Sequence, residues 1–217
     1  MPAKVPSLGA EPFVPNGANL AQLHDAAQGC RGCDLYRHAT QAILGEGPPS
    51  ARIVMVGEQP GDKEDLAGRP FVGPAGGLLE RALEDAGIDC SDVYITNAVK
   101  HFKFEERGKR RIHKKPSAVE IVACKPWLNA EMAIIRPALI VCLGATAARA
   151  VIGPNTASSK SAAFFLDHAW AASVTATVHP SAILRSLDPA QRHANYMAFV
   201  EDLAAVRKKL SSVSKGH

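Results

Sequence analysis

A run of basic residues from position 100 to position 115 carries the densest charge in the chain and contains two histidines. Its 16 positions hold eight Lys or Arg against two Glu, a local net charge of +6 in a protein whose total is +4. Such a concentration is typical of a polyanion site, because each neutralised phosphate releases condensed counterions. Within the run, Lys109–His113 ends on an imidazole that can act as a nucleophile near neutral pH. Taken alone, the run also fits a solvated basic loop.

Cysteine spacing indicates a second kind of chemistry. Cys30 and Cys33 are separated by two residues, so two thiolates can bind one metal centre, and no strand precedes them as in a thioredoxin-type redox motif. Five cysteines in a chain of this size argue against a disulfide framework. Cys124 is a third candidate ligand, and the candidates for a fourth are His101, Cys90 and Cys142. The spacing is compatible with both zinc and an iron-sulfur cluster.

The elements that must position these residues alternate between strand-length apolar runs and longer amphipathic stretches. We predict strands at 52–56, 93–99, 139–143 and 174–178, and helices at 75–86, 117–135, 145–151 and 189–210. Ser117 and Glu120 fit a capping box at the start of the second helix. The alternation predicts an α/β protein with a mostly parallel, four-stranded sheet.

Ligands of parallel sheets bind beyond the carboxyl ends of the strands. The predicted strands are followed by four polar or glycine-containing segments, at 57–62, 100–101, 144–146 and 179–181. They should meet at one edge of the sheet and form the site. A dinucleotide-binding fingerprint is excluded, because Pro60 follows Gln59 and the next helix begins only near Ala75.

Length and hydropathy bound the class of protein. A chain of 217 residues that is 47% hydrophobic predicts one domain, at 18–210, between flexible segments at 1–17 and 211–217. Residues 154–161 are predicted to form a loop of small residues. No apolar run reaches the roughly 18 residues that cross a bilayer, and the first residues lack a signal-peptide pattern. We expect a cytoplasmic monomer without a membrane partner.

Four motifs, in order, resemble those of the iron-sulfur uracil-DNA glycosylases. They are Gly57–Gly61, Gly68–Gly76, Tyr94–Asn97 and His179–Ser181, within a similarity that spans residues 22 to 209. The resemblance implies a three-layer α/β/α domain, a [4Fe-4S] cluster, and action on uracil in DNA, especially single-stranded DNA. The family's third cysteine ligand is replaced here by a histidine, so the resemblance assigns the cluster to Cys30, Cys33, His101 and Cys124.

Two departures from the family pattern resemble the uracil-DNA glycosylase X subgroup. Gln59 stands where alanine is usual, and the basic segment is an insertion. In that subgroup the histidine of the Lys-Arg-Arg-Ile-His loop captures the sugar covalently, which assigns the nucleophile to His113. Its cationic neighbours are expected to oppose its protonation. A third departure is the segment 155–160, which stands where the family commonly has a short strand that contains an Arg-Gly pair. What that strand would contribute to this protein is left open.

The chemistry assigns roles to the remaining site residues. Cleavage of the bond from uracil to deoxyribose builds negative charge on the base and cationic character on the sugar. Asn97 should read the uracil edge, donating to O4 and accepting from N3, which would reject cytosine. His179 should donate to O2, and Glu58 should face the cationic sugar and assist His113. The other substrate contacts are assigned to Gln59, Phe71 and Asp62.

The DNA strand itself should be held by phosphate contacts and by a wedge that replaces the extruded base. These roles are assigned to Lys109, Arg110, Arg111, Leu184 and Arg185, with Leu184 as the wedge. Three alternatives remain open: a glycosylase that turns over and releases abasic DNA, a non-catalytic nucleic-acid-binding iron-sulfur protein, and a zinc-ribbon protein.

Overall fold

The central feature of the fold is a mostly parallel sheet of five strands. The computed structural model describes residues 9–153 and 164–213. In the order β2-β1-β5-β7-β6, the first four strands are parallel and β6 is antiparallel to β7. The bounds are β1 Ile53–Gly57, β2 Val93–Asn97, β5 Leu139–Leu143, β6 Leu166–His168 and β7 Ala171–Thr177. The four predicted strands are confirmed. The prediction that the sheet has four strands was wrong, because β6 adds a fifth strand at its edge.

Helices cover both faces of the sheet. They are α1 Leu20–Ala27, α2 Asp62–Ala67, α3 Pro74–Asp85, α4 Ala118–Ile135, α5 Ala145–Val151, α6 Pro180–Leu184 and α7 Pro189–Val213. Three single turns of 3₁₀ helix lie at Glu11–Phe13, Asp34–Arg37 and Cys90–Asp92. The four predicted helices are confirmed. The capping box is present, since Ser117 Oγ accepts from the Glu120 N–H and Glu120 Oε2 accepts from the Ser117 N–H.

The two faces of the sheet pack on separate hydrophobic clusters, which gives three layers. Alternate residues of β1 point to opposite sides, with Val54 and Val56 against α1, α4 and α5, and Ile53 and Met55 against α3, α6 and α7. Every residue of β1 is buried. A central strand that is apolar on both faces is what a parallel sheet covered by helices requires.

The basic run forms a β-hairpin that sequence periodicity did not predict. Its strands are β3 Phe104–Arg107 and β4 Arg110–His113, paired antiparallel with Phe104 opposite His113. Gly108 lies in the turn at φ 60°, a left-handed conformation that glycine adopts without strain. The hairpin is its own two-stranded sheet, and it places His113 at its base, beside the carboxyl edge of the main sheet.

The chain ends pack more closely than the sequence predicts. Within the segment 1–17, Ala10 is buried and its N–H donates to the Ala123 carbonyl on α4 at 2.7 Å. Within the segment 211–217, residues 211–213 continue α7. The predicted loop at 154–161, which includes the segment 155–160, lies outside the described residues. In the described part of the chain, no helix has the length and apolar character to cross a membrane.

Candidate functional site

A cavity of about 680 Å³ opens at the carboxyl ends of the four parallel strands. Its walls come from the segments that follow β1, β2, β5 and β7, together with the end of the hairpin. The structure therefore brings together side chains that are up to 127 positions apart along the chain. The predicted site residues that line the cavity are Glu58, Gln59, Phe71, Asn97, His113, His179 and Arg185.

Asn97 is the last residue of β2, and its side chain is buried at the floor of the cavity. Only 2% of the residue is exposed, and its Oδ1 has no hydrogen-bond partner within the described residues. A Cβ on Gly57 would lie 2.3 Å from that oxygen, so only glycine permits the approach. A buried acceptor without a partner is costly unless a ligand supplies the donor. The amide is thus set up to bind an N–H group inside the cavity.

Phe71 and His179 form one wall of the cavity. Their rings are stacked, with centroids 5.9 Å apart and planes 28° from parallel. Phe71 has a φ of 55°, which is rare for a bulky residue and typical of strain held at a functional site. The wall offers a planar ligand an aromatic face.

His179 is poised as a neutral hydrogen-bond donor. Its Nδ1 accepts from the Ser181 N–H at 3.1 Å, at the start of α6. Because a backbone N–H can only donate, the neutral ring carries its proton on Nε2. The pKa of His179 is lowered to about 4, chiefly by burial and in smaller part by the nearby positive groups Arg185 and His113. The imidazole can therefore donate from Nε2 without being charged.

Glu58 and His113 face each other across the cavity mouth. Glu58 Oε1 lies 3.6 Å from His113 Nε2, and its Oε2 accepts from the hydroxyl of Thr146. Burial lowers the pKa of His113 below 6.5, Arg185 acts in the same direction, and Glu58 opposes them. The direction is the one expected, but its causes are burial and Arg185 rather than the cations of the hairpin.

Thr146 is a site residue whose role the sequence did not reveal. It is buried in the first turn of α5 and holds the Glu58 carboxylate in place. The segment 144–146 was expected at this edge of the sheet, yet nothing in its composition indicated a bond to a residue 88 positions away.

Gln59 holds the base of the hairpin together. Lys103 and Lys114 flank the hairpin on its two sides, and Gln59 Nε2 donates to the carbonyls of both at 3.1 Å. Its Oε1 is buried without a partner in the described residues, so the side chain still offers one acceptor. The substitution of glutamine for the usual alanine is thus explained by the hairpin, and the substrate contact assigned to Gln59 remains a proposal.

Arg111 and Asp62, which the sequence assigns to DNA and to substrate, form an ion pair with each other. Arg111 Nε lies 2.6 Å from Asp62 Oδ1, and its Nη1 lies 2.6 Å from Oδ2 of the fully buried Asp65. Its guanidinium also stacks on the rings of Phe102 and Phe104. Because a buried carboxylate needs a cation, Arg111 pins the hairpin to α2. Asp62 is not among the residues that line the cavity.

The other predicted DNA contacts differ in exposure. Lys109 and Arg110 are exposed at the hairpin tip and form no ion pair among the described side chains. Leu184, the expected wedge, is half-buried and packs on the core under α6. Leu187 is 95% exposed in the turn before α7, so it is the leucine that this loop presents to solvent. Arg185 lines the cavity and donates to Ser181 Oγ at 3.1 Å.

Three cysteines and a histidine are buried on the α4 side of the sheet. Cys30, Cys33, His101 and Cys124 are each less than 10% exposed. The Trp127 Nε1–H donates to Cys30 Sγ, and the Lys100 N–H donates to Cys124 Sγ, both at 3.2 Å. Burial is the main reason that the pKa of Cys124 is raised to about 12, and Lys100 partly offsets the rise. Burial also lowers the pKa of His101 to about 4, so its imidazole is neutral.

The donor types and the burial of these side chains, rather than a preformed site for a single metal ion, are what fit an iron-sulfur cluster. Among the described residues, no group of three or more His, Cys, Asp or Glu has the arrangement needed to hold a metal ion. Ligands of a cluster bind different iron atoms, and N–H donors to their sulfurs tune the centre. Three buried sulfurs, two of them already accepting N–H bonds, fit that pattern. Cys142 is buried within β5 and Cys90 is exposed.

Comparison with known proteins agrees with this geometry. The model of the Uracil DNA glycosylase superfamily matches residues 44–204. A type-4 uracil-DNA glycosylase of Thermotoga maritima is 40% identical over 158 residues, which cover 72% of this chain and 79% of that protein. One of Archaeoglobus fulgidus is 38% identical over 162 residues, covering 71% and 78%. One of Pyrobaculum aerophilum is 38% identical over 134 residues, covering 62% and 65%.

Proposed function

Because this chain belongs to the uracil-DNA glycosylase superfamily, we propose that it excises uracil from DNA. The observation that carries the proposal is the buried amide of Asn97, whose Oδ1 has no partner among the described residues and lines the cavity. A flipped-out uracil supplies the missing donor from its N3–H. The simplest test is release of uracil from single-stranded DNA that contains it.

The cavity residues fit the two charges that develop during cleavage. Asn97 accepts from N3 and donates to O4, a pattern that cytosine cannot satisfy. Phe71 stacks on the base, and His179 donates from Nε2 to O2 as negative charge grows on the ring. Glu58, held by Thr146, places a carboxylate near the cationic sugar.

We further propose that His113 captures the sugar. An imidazole nitrogen gives its lone pair to C1′ while the bond from C1′ to uracil N1 breaks and its electron pair leaves with the base. The alkylated ring then loses its remaining N–H proton, for which Glu58 is an acceptor 3.6 Å away, and the uracil anion takes a proton from water. The lowered pKa of His113 supports this role, and so does its position opposite Glu58.

A turnover glycosylase is the second candidate. The names of the similar proteins describe uracil-DNA glycosylases and mention no capture of DNA. In that case Glu58 and Thr146 orient a water molecule at C1′, and abasic DNA is released. The fate of the sugar after cleavage separates the two candidates.

We propose that Cys30, Cys33, His101 and Cys124 hold a [4Fe-4S] cluster. The group would tie together three stretches that are distant in the chain: the loop after α1, the segment after β2, and α4. The proposed reaction involves no oxidation or reduction, so the proposed role of the cluster is structural. The cluster would hold the segment after Asn97 against α4.

The purified protein is expected to be brown and to contain about four iron atoms per chain. His101→Cys should keep the iron, because a thiolate is the more common ligand, whereas Cys124→Ala should lose colour and folded protein together. Metal analysis and visible absorption measure both, with Cys90→Ala as the control at an exposed thiol. Zinc in place of iron would contradict the proposal.

Removal of the two exposed cations at the hairpin tip should weaken DNA capture without changing its sequence preference. In Lys109→Gln/Arg110→Gln, the salt dependence of binding should flatten by about 0.7 in log–log slope for each lost phosphate contact. Binding to uracil-containing oligonucleotides across a salt series measures this. The control is Arg207→Gln/Lys208→Gln near the end of α7. The end of α7 contacts Arg52, which precedes β1, and therefore lies at the end of the strand away from the cavity. A loss confined to some sequences would indicate base contacts instead.

A further inference from the structure

A fully buried ion pair lies behind the base-reading edge of the cavity. Lys100 Nζ is 2.5 Å from Glu131 Oε2, and neither side chain is exposed to solvent. Burying both charges costs desolvation energy, and apolar residues of similar volume often stabilise a protein as well or better. Stability alone therefore does not account for the pair, and the reaction proposed above does not use it.

Lys100 uses its three donors on groups around Asn97. Besides Glu131, its ammonium donates to the Asn97 carbonyl at 2.8 Å and to Thr96 Oγ1 at 2.7 Å. The ammonium thus grips the backbone of β2 at the residue whose side chain reaches into the cavity. Fixing this carbonyl fixes the direction of the Asn97 side chain.

Glu131 anchors the ammonium to its surroundings. Its Oε1 accepts from the Gly45 N–H at 2.8 Å, from the Tyr94 hydroxyl at 2.9 Å and from the Thr96 hydroxyl at 3.0 Å. The donors come from β2 and from the segment that precedes β1, so the carboxylate has little freedom to move. A buried network with all of its members satisfied is rigid.

The same network reaches the cysteine and histidine cluster. The backbone N–H of Lys100 donates to Cys124 Sγ at 3.2 Å, and His101 is the next residue. Cys124 and Glu131 are seven residues apart on α4, so they lie on one face of the helix, two turns apart. Through Cys124 and Glu131, one face of α4 therefore contacts both the backbone N–H and the ammonium of Lys100.

We propose that Lys100 and Glu131 are positioning residues that hold the Asn97 amide in its base-reading orientation and link it to the metal-ligand segment. The proposal rests on uracil recognition by Asn97, as proposed above. Lys100 does not touch the substrate. It acts through the Asn97 backbone, and its effect must therefore vanish when the Asn97 side chain is absent.

A double variant tests this without leaving a buried charge alone. Lys100→Met by itself strands the Glu131 carboxylate and is prone to unfold. Lys100→Met/Glu131→Gln removes both charges and keeps an oxygen for the Gly45 and Tyr94 donors. Its visible absorption and iron content should match wild type, which shows that the fold and the metal centre persist. Tyr94→Phe is the matched control, because it removes one bond to Glu131 and leaves the bond from Lys100 to Asn97.

The decisive measurement is a double-mutant cycle on two readouts, uracil excision and binding of free uracil. In the wild-type background, Lys100→Met/Glu131→Gln should lower excision about 10- to 100-fold, the scale of a misplaced contact group. In the Asn97→Ala background the same change should lower it less than about twofold, because residues that act as one unit are not additive. Equal losses in both backgrounds, or no loss in wild type, would overturn the positioning role.

Free uracil separates this inference from the proposed function. If wild type binds the base but excises none, the glycosylase proposal fails, and the same cycle measured on uracil affinity still decides the role of Lys100. If wild type neither binds nor excises uracil, Asn97 is not the base reader, and both proposals fall.

Discussion

Replacement of His113 by glycine is expected to abolish a covalent protein–DNA adduct while uracil excision continues. Wild type should give one heat- and detergent-stable adduct per uracil without turnover, because the imidazole attacks C1′ before water does. In His113→Gly the residues Glu58, Asn97 and His179 remain, and the vacated volume admits water to the sugar. Denaturing electrophoresis of each protein with uracil-containing single-stranded DNA measures adduct and abasic product together.

Ile112→Gly serves as the matched control, because it truncates the adjacent, exposed side chain of the same strand. It should retain the adduct. An adduct that survives His113→Gly would assign the capture to another nucleophile. Abasic DNA released by wild type over many cycles would establish the turnover glycosylase instead.

The pH dependence of capture follows from the same histidine. Only the neutral imidazole has a lone pair for C1′, and partial burial lowers the pKa of His113 from its ordinary value. The rate of capture should therefore fall on acidification with a midpoint below the ordinary pKa of a histidine, as His113 becomes protonated. Single-turnover rates across a pH series measure this, and a midpoint above that ordinary value would contradict it.

Truncation of Asn97 to alanine is expected to lower uracil processing by about 10²-fold or more, the scale for loss of a preorganised polar contact. Asn97→Asp should be at least as damaging, because a carboxylate cannot donate to O4 and repels the anionic base. Single-turnover excision rates measure both. Asn129→Ala, an exposed asparagine on α4, is the control. An unchanged rate in Asn97→Ala would remove this residue from the site.

The long elements and the edge that carries the site were predictable from local pattern. Each parallel strand is an apolar run, α4 begins at the predicted capping box, and the buried apolar residues of α7 recur every three or four positions. Since carboxyl ends of parallel strands share one edge, Glu58, Asn97 and His179 could be placed together. In contrast, β6 has three residues, two of them exposed, and so leaves no apolar signal.

What the sequence could not reveal are contacts between distant segments. The sequence assigns Arg111 to phosphate contacts, yet it pairs with Asp62, 49 positions away, and with the buried Asp65. A charge count cannot tell a paired guanidinium from an exposed one. Leu184 and Leu187 look equivalent in the sequence, but the single turn of α6 packs the first against the core and leaves the second in solvent.

The separate sheet of the hairpin has a consequence for protein engineering. In the described structure β3 and β4 pair only with each other, and the hairpin attaches to the domain through Gln59 and through Arg111 with its two aspartates. The hairpin and these few anchor side chains therefore constitute a transplantable module, which could be grafted between the corresponding strand and helix of a related enzyme.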